Sequence, residues 1–141
     1  MRTIPAFAIR RNARGLNMGT KDDISSVSLW IPDVSIERPC VYVVATPIGH
    51  LSDFSLRGIA TLRAVDFILS EDTRSSQKLL STYGIDNTIQ TLHDHNENRM
   101  SGRIVKRLQE KKQAVALISD AGTPLISDPG FRLVQTAIKA N

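Results

Sequence analysis

Four short apolar runs, at residues 41–45, 65–70, 88–92 and 115–118, are separated by segments long enough for one helix each. Strands that alternate with helices of about 10–15 residues build βαβ units, and these form a parallel sheet. The expected fold is therefore α/β, a parallel sheet with helices on both faces. Ser52 or Asp53 can cap a helix from Phe54 to Ala64, whose buried side would hold Leu56, Ile59, Ala60 and Leu62. Asp72 or Thr73 can cap a second helix that Gly84 stops. A third is expected from Asn98 to Lys111, with Met100, Ile104, Val105 and Leu108 inward. Ser127 or Asp128 can cap a fourth, with Pro129 in its first turn, ending near Ala140.

A chain of 141 residues favours one domain. Residues 1–39 differ from the rest: they show no sustained period and contain Pro5, Pro32 and Pro39. They are expected to form an irregular, mostly disordered extension, with residues 40–141 as the folded domain. Arg2, Arg10, Arg11 and Arg14 precede any acid. That pattern suits a tail or a start codon placed too early, with Met18 as the alternative start. It also suits a transit peptide or an RNA-binding arm. No apolar stretch follows the arginines, so a secretory signal is not expected. No apolar run approaches the roughly 20 residues of a membrane helix. Cys40 is the only cysteine, which excludes an internal disulfide. The net charge of +4 is by itself weak support for a nucleic-acid partner.

The first and last strands both empty into glycine-containing loops, Thr46-Pro47-Ile48-Gly49 and Ser119-Asp120-Ala121-Gly122-Thr123. Open α/β sheets bind small molecules where strand ends meet such loops. Neither loop has the Lys-Ser/Thr of a P-loop, and no G-x-G-x-x-G is present. Backbone N–H groups bared by Gly49 and Gly122, beside Asp53 and Asp120, suit a ligand with an amino-acid end and a ribose. The competing view is that glycine and proline simply turn the chain.

Three other clusters carry possible chemistry. Glu71-Asp72-Thr73-Arg74 sits at a strand-to-helix junction, where an acid either caps the helix or faces the crevice. His93-Asp94-His95-Asn96-Glu97 places two imidazoles two residues apart, on one side if the segment is extended. Such a group can bind a metal, contact substrate or pack as a polar loop. Arg99, Arg103, Lys106 and Arg107 share one helical face, either solvated or a stripe for RNA phosphates.

Taken in order, the segment Val43–Leu51, Ser70-Glu71-Asp72-Thr73-Arg74, His93-Asp94-His95-Asn96-Glu97 and Ser119–Gly130 resemble the ribosomal small subunit methyltransferase I family. That family belongs to the tetrapyrrole-methylase-like, class III methyltransferases, and the resemblance spans Cys40 to Asn141. It implies methyl transfer from S-adenosylmethionine to the ribose 2′-oxygen of a cytidine in 16S rRNA, by a cytoplasmic homodimer acting on the small ribosomal subunit, with no membrane. It implies that Thr46, Pro47, Ile48, Gly49, Ser119, Asp120, Ala121, Gly122 and Thr123 hold the methyl donor. Asp120, Glu71 and His95 are the candidate proton acceptors; Arg74, Asn96 and Glu97 are the candidate substrate contacts. No metal is expected in that reading. His50 stands where relatives usually have Asn, and Asp94 where they usually have Glu. Relatives carry a second α/β domain. The chain is therefore expected to be an N-terminal domain only, with weak or no donor binding and uncertain activity. The alternatives are a metal-dependent hydrolase built on His93, His95 and Asp120, or a non-catalytic remnant.

Overall fold

A computed structural model describes residues 31–126 and 128–140. Its elements run β1 (Cys40–Val44), α1 (Leu56–Ala64), β2 (Phe67–Ser70), α2 (Thr73–Thr82), β3 (Ile89–Thr91), α3 (Asp94–Lys111), β4 (Ala114–Ile118) and α4 (Phe131–Lys139). A short 3-10 turn, Leu51–Asp53, interrupts the loop between β1 and α1. All pairings are parallel, in the order β1-β4-β2-β3. The last strand in sequence is thus central, and every residue of β4 is buried.

Side chains of a strand alternate between the two sheet faces, and here they feed two separate cores. Ala114, Ala116 and Ile118 join Val44 and Ile68 beneath Ile59 and Leu62 of α1 and Leu80 of α2. Val115 and Leu117 join Phe67 and Leu69 beneath Ile104, Val105 and Leu108 of α3 and Leu133 of α4. Helices thus cover both faces, as expected. Leu56 is an exception to the expected buried side of α1, being 42% exposed. It is the first residue of a helix capped by Ser55, whose Oγ accepts from the Gly58 N–H. Neither Ser52 nor Asp53 caps it, because both belong to the preceding 3-10 turn.

Residues 31–39 are irregular but attached. Ile31 and Ile36 pack on the first core. Arg38 bonds the Asp66 carboxylate and the Ala64 carbonyl, and the Glu37 N–H donates to the Tyr42 hydroxyl at 2.8 Å. The expectations for residues 1–30, including the arginine-rich start, lie outside the described residues. Cys40, expected ahead of the first strand, is its first residue.

The N-terminus of α4 departs from its expected design. Its N-cap is Gly130, which has no side chain to offer; Asp128 and Pro129 precede it, and Ser127 lies outside the described residues. The missing acceptor comes from α3: Glu97 Oε1 accepts from the N–H groups of Gly130 (2.9 Å), Arg132 (2.8 Å) and Leu133 (3.4 Å). A buried carboxylate at a helix start satisfies orphan donors and complements the helix dipole. Gly130 adopts φ +125, and a Cβ there would overlap Leu117 Cδ2 and come within 3.0 Å of Leu125 Cδ2.

Two substitutions test this joint. Glu97→Ala leaves buried N–H groups without an acceptor and should destabilise the fold by about 2–3 kcal/mol. Gly130→Ala adds backbone strain to a steric clash and should cost about 3 kcal/mol or more. Urea unfolding of each variant measures both; a loss within about 0.5 kcal/mol, the range of neutral surface changes, would contradict this account.

Candidate active site

β1 and β4 are hydrogen-bonded neighbours whose ends are level, with Val44 opposite Ile118. Their loops therefore leave the sheet side by side. They are also stitched together. The Thr46 N–H donates to the Gly122 carbonyl at 2.9 Å, and the Gly122 N–H donates back to the Thr46 carbonyl at 3.1 Å. Thr46 Oγ1 donates to the Ser119 carbonyl at 3.0 Å, and Ser119 Oγ to the Gly122 carbonyl at 2.8 Å. All of these groups are buried. Gly122 takes φ +83, the left-handed region open to glycine.

That stitching corrects one expectation. The Gly122 N–H is consumed by the Thr46 carbonyl, so it is not free to receive a ligand. A cavity of about 280 Å³ does open beside the two loops, lined by Pro47, Gly49, Leu51, Ser119 and Asp120 together with Ser75, Ser76, Lys78, Leu79 and Thr82 of α2. The expected donor-binding residues thus divide. Pro47, Gly49, Ser119 and Asp120 line the cavity; Thr46 and Gly122 brace its wall from inside. Ile48, Ala121 and Thr123 are exposed residues outside its lining, as is Asp53. The contribution of α2 was missed. Ser75, Lys78, Leu79 and Thr82 recur at helical spacing, a signal that sequence periodicity carries but that only packing ties to this crevice.

The loop after β1 is held at two further points. His50 Nδ1 accepts from the Ser52 N–H at 3.2 Å. The Tyr83 hydroxyl donates to the Leu51 carbonyl, and its ring stacks edge-on against Phe54 at 5.2 Å. Burial pushes the Tyr83 pKa up, and the Asp53 charge adds to the effect.

The acidic junction after β2 is partly structural. Asp72 caps α2, its Oδ1 accepting from the Arg74 N–H at 2.8 Å. Glu71 and the side chain of Arg74 are exposed at the same sheet edge. The histidine segment is not extended: His93 is the N-cap of α3 and residues 94–97 are its first turn. The side chains of Asn96 and Glu97 are therefore committed to the fold. Asn96 Oδ1 accepts from the His93 N–H at 3.0 Å, its Nδ2 donates to the Thr91 carbonyl, and Glu97 caps α4. The two expected substrate contacts thus spend these atoms on bonds within the fold. His95 is exposed, with its ring 5.8 Å from that of His93. Among the described residues, no group of three or more His, Cys, Asp or Glu side chains is placed to hold a metal ion.

Asp120 has the most perturbed environment of the candidates. Burial, then the charges of Asp72 and Asp128, hold its carboxyl above the usual carboxylate range, while the Asp72 backbone N–H opposes the shift.

A family model for Tetrapyrrole (Corrin/Porphyrin) Methylases matches residues 40–141. The chain belongs to this family. It is also similar to curated proteins named ribosomal RNA small subunit methyltransferase I. The protein from Pasteurella multocida is 54% identical over 100 residues, covering 71% of this chain and 35% of that protein. That from Mesorhizobium japonicum is 52% identical over 101 residues, 72% of this chain and 34% of the relative. That from Escherichia coli O157:H7 is 49% identical over 100 residues, 71% and 35% respectively. The chain thus spans about a third of the length of these relatives.

The acid cluster predicts a pH dependence. Because folded Asp120 keeps its proton to higher pH than the unfolded chain, its protonated form favours folding below the unfolded pKa. That contribution is lost as pH rises through the raised folded value. Asp120→Asn should therefore melt higher than the unaltered chain at about pH 7, with the gap closing toward about pH 4, where the carboxyl protonates. Thermal melts at both pH values check this, and a variant that melts lower at neutral pH would contradict it.

Proposed function

We propose that this chain is the donor-binding part of an S-adenosylmethionine-dependent RNA methyltransferase, which methylates the ribose 2′-oxygen of a cytidine in 16S rRNA. Family membership and the printed name of its relatives support the reaction class. The observation that carries the reading is the cavity at the joined ends of β1 and β4, with Asp120 in its wall and Asp72 and Asp128 acting on the Asp120 carboxyl. A sulfonium and an ammonium give the donor two cationic groups for Asp120 to face, and Lys78, the other charged residue of the lining, suits the donor's carboxylate.

The residues present fit one side of such a ligand. Pro47, Gly49, Ser119 and Asp120 would hold it, with Thr46 and Gly122 fixing the loop separation. When bound, S-adenosylmethionine supplies an electrophilic methyl group. Fixing the donor against the attacking oxygen removes entropy from the barrier in advance. Of the three candidate proton acceptors, only Asp120 lines the cavity. Its raised pKa also makes it a better base than an ordinary carboxylate. Glu71, Arg74 and His95 are exposed on the segments that follow β2 and β3. There they can meet the RNA. The complete enzyme acts in this reading as a cytoplasmic homodimer on the small ribosomal subunit.

Titration of S-adenosylmethionine into the isotope-labelled chain should shift the amide resonances of residues 46–49 and 119–123, and Asp120→Ala should abolish those shifts. S-adenosylhomocysteine, which lacks the sulfonium charge, should bind more weakly. Shifts confined to other segments would overturn the donor site.

A further inference from the structure

Resting on the RNA substrate of that reading, we propose that the outer face of α3 carrying Arg99, Gly102, Arg103 and Lys106 binds RNA backbone phosphates. Spacing of three, four and seven residues puts these positions on one face of a helix, and all four are exposed. The face begins with His95, one residue into the helix that leaves the site-bearing end of the sheet. Among the described residues, the only ion pairs are Arg38–Asp66 and Lys106–Glu110, and the Arg99 and Arg103 side chains make no hydrogen bond. The Lys106–Glu110 contact, at 3.7 Å between two largely exposed groups, exchanges readily with solvent.

Arg107 does not join this surface, which narrows the stripe expected from sequence. Its guanidinium lies 4.2 Å from the centre of the Phe67 ring, and its Nε donates to Gln113 Oε1 at 2.9 Å. It is a packing residue for the core under α3.

Gly102 is the second, independent observation. Glycine inside a helix weakens it relative to alanine. Some glycines repay this through close packing, but a Cβ at Gly102 would meet nothing within 4 Å. No contact among the described residues requires glycine there. A bare stretch of backbone between two arginines that have no partner among the described residues does allow a bulky polyanion to approach closely. A membrane surface is the less favoured anion. An interfacial helix needs its own apolar face free for lipid, and α3 has buried Ile104, Val105 and Leu108 in the core.

Fluorescence anisotropy with a 16S rRNA transcript, from about 50 to 200 mM salt, tests this. Neutralising both arginines, Arg99→Gln with Arg103→Gln, should lower affinity and reduce the slope of log K against log salt by about 1.5, the loss of two phosphate contacts. Gly102→Ala should raise the melting temperature yet weaken RNA binding several-fold. Arg57→Gln, on α1 across the sheet, should leave the slope unchanged. All four positions are exposed, so circular dichroism should report intact folds. Unchanged affinity and slope in the double variant, with the unaltered chain binding RNA, would overturn this face and leave the RNA substrate standing. No RNA binding by the unaltered chain, or arginine-dependent binding to phosphatidylserine vesicles instead, would overturn the inference. The donor titration then judges the methyltransferase reading separately.

Discussion

The site depends on the seam between β1 and β4. Five backbone pairs in register carry the two strands to a common end. The reciprocal Thr46–Gly122 bridge then extends pairing into what would otherwise be two independent loops. Thr46 and Ser119 satisfy carbonyls within that joint through their hydroxyls, so the buried polar groups are matched with each other. Matched buried groups fix geometry, because any rearrangement would leave donors or acceptors without partners in a medium where that is costly. The cavity wall is consequently a rigid continuation of the sheet.

A second theme is that several residues suited to chemistry are occupied in construction. Asp72, Asn96 and Glu97 each serve a helix start, and Gly122 gives its N–H to Thr46. What remains exposed at the same sheet edge is smaller and more specific: Asp120 in the cavity wall, with Glu71, Arg74 and His95 outside it. Glu97 shows how distant segments become coupled. It ties the first turn of α3 to the start of α4, and the preceding loop, which carries Leu125 at φ 77, ends at that joint. A positive φ is costly for leucine, and Leu125 offsets part of the cost by packing on the core under α3 and α4.

Much of this was legible in the chain. Apolar runs bounded by glycine and helix-length segments marked all four strands, and the loops after the first and last of them marked the site. Asp72 was legible as a cap because an acid before a helical segment has few other local uses. The helix starts at Ser55, His93 and Gly130 were not, since each was set by a neighbour: the 3-10 turn at Leu51–Asp53, the Asn96 side chain, and Glu97 from another helix. The histidine pair was misplaced for the same reason. Spacing alone does not say whether two residues lie on a strand or in the first turn of a helix.

Local periodicity and turn chemistry determined which segments are strands and helices, because those preferences act within a few residues along the chain. The sequence also determined the family, since its motifs keep their order and spacing. Only the tertiary structure decided that β4 lies between β1 and β2, that α2 closes the cavity, and that Gly122, Asn96, Glu97 and Arg107 serve the fold. Those outcomes depend on contacts between segments tens of residues apart. A residue's local character shows what bonds it can make; its spatial neighbours determine which it does make.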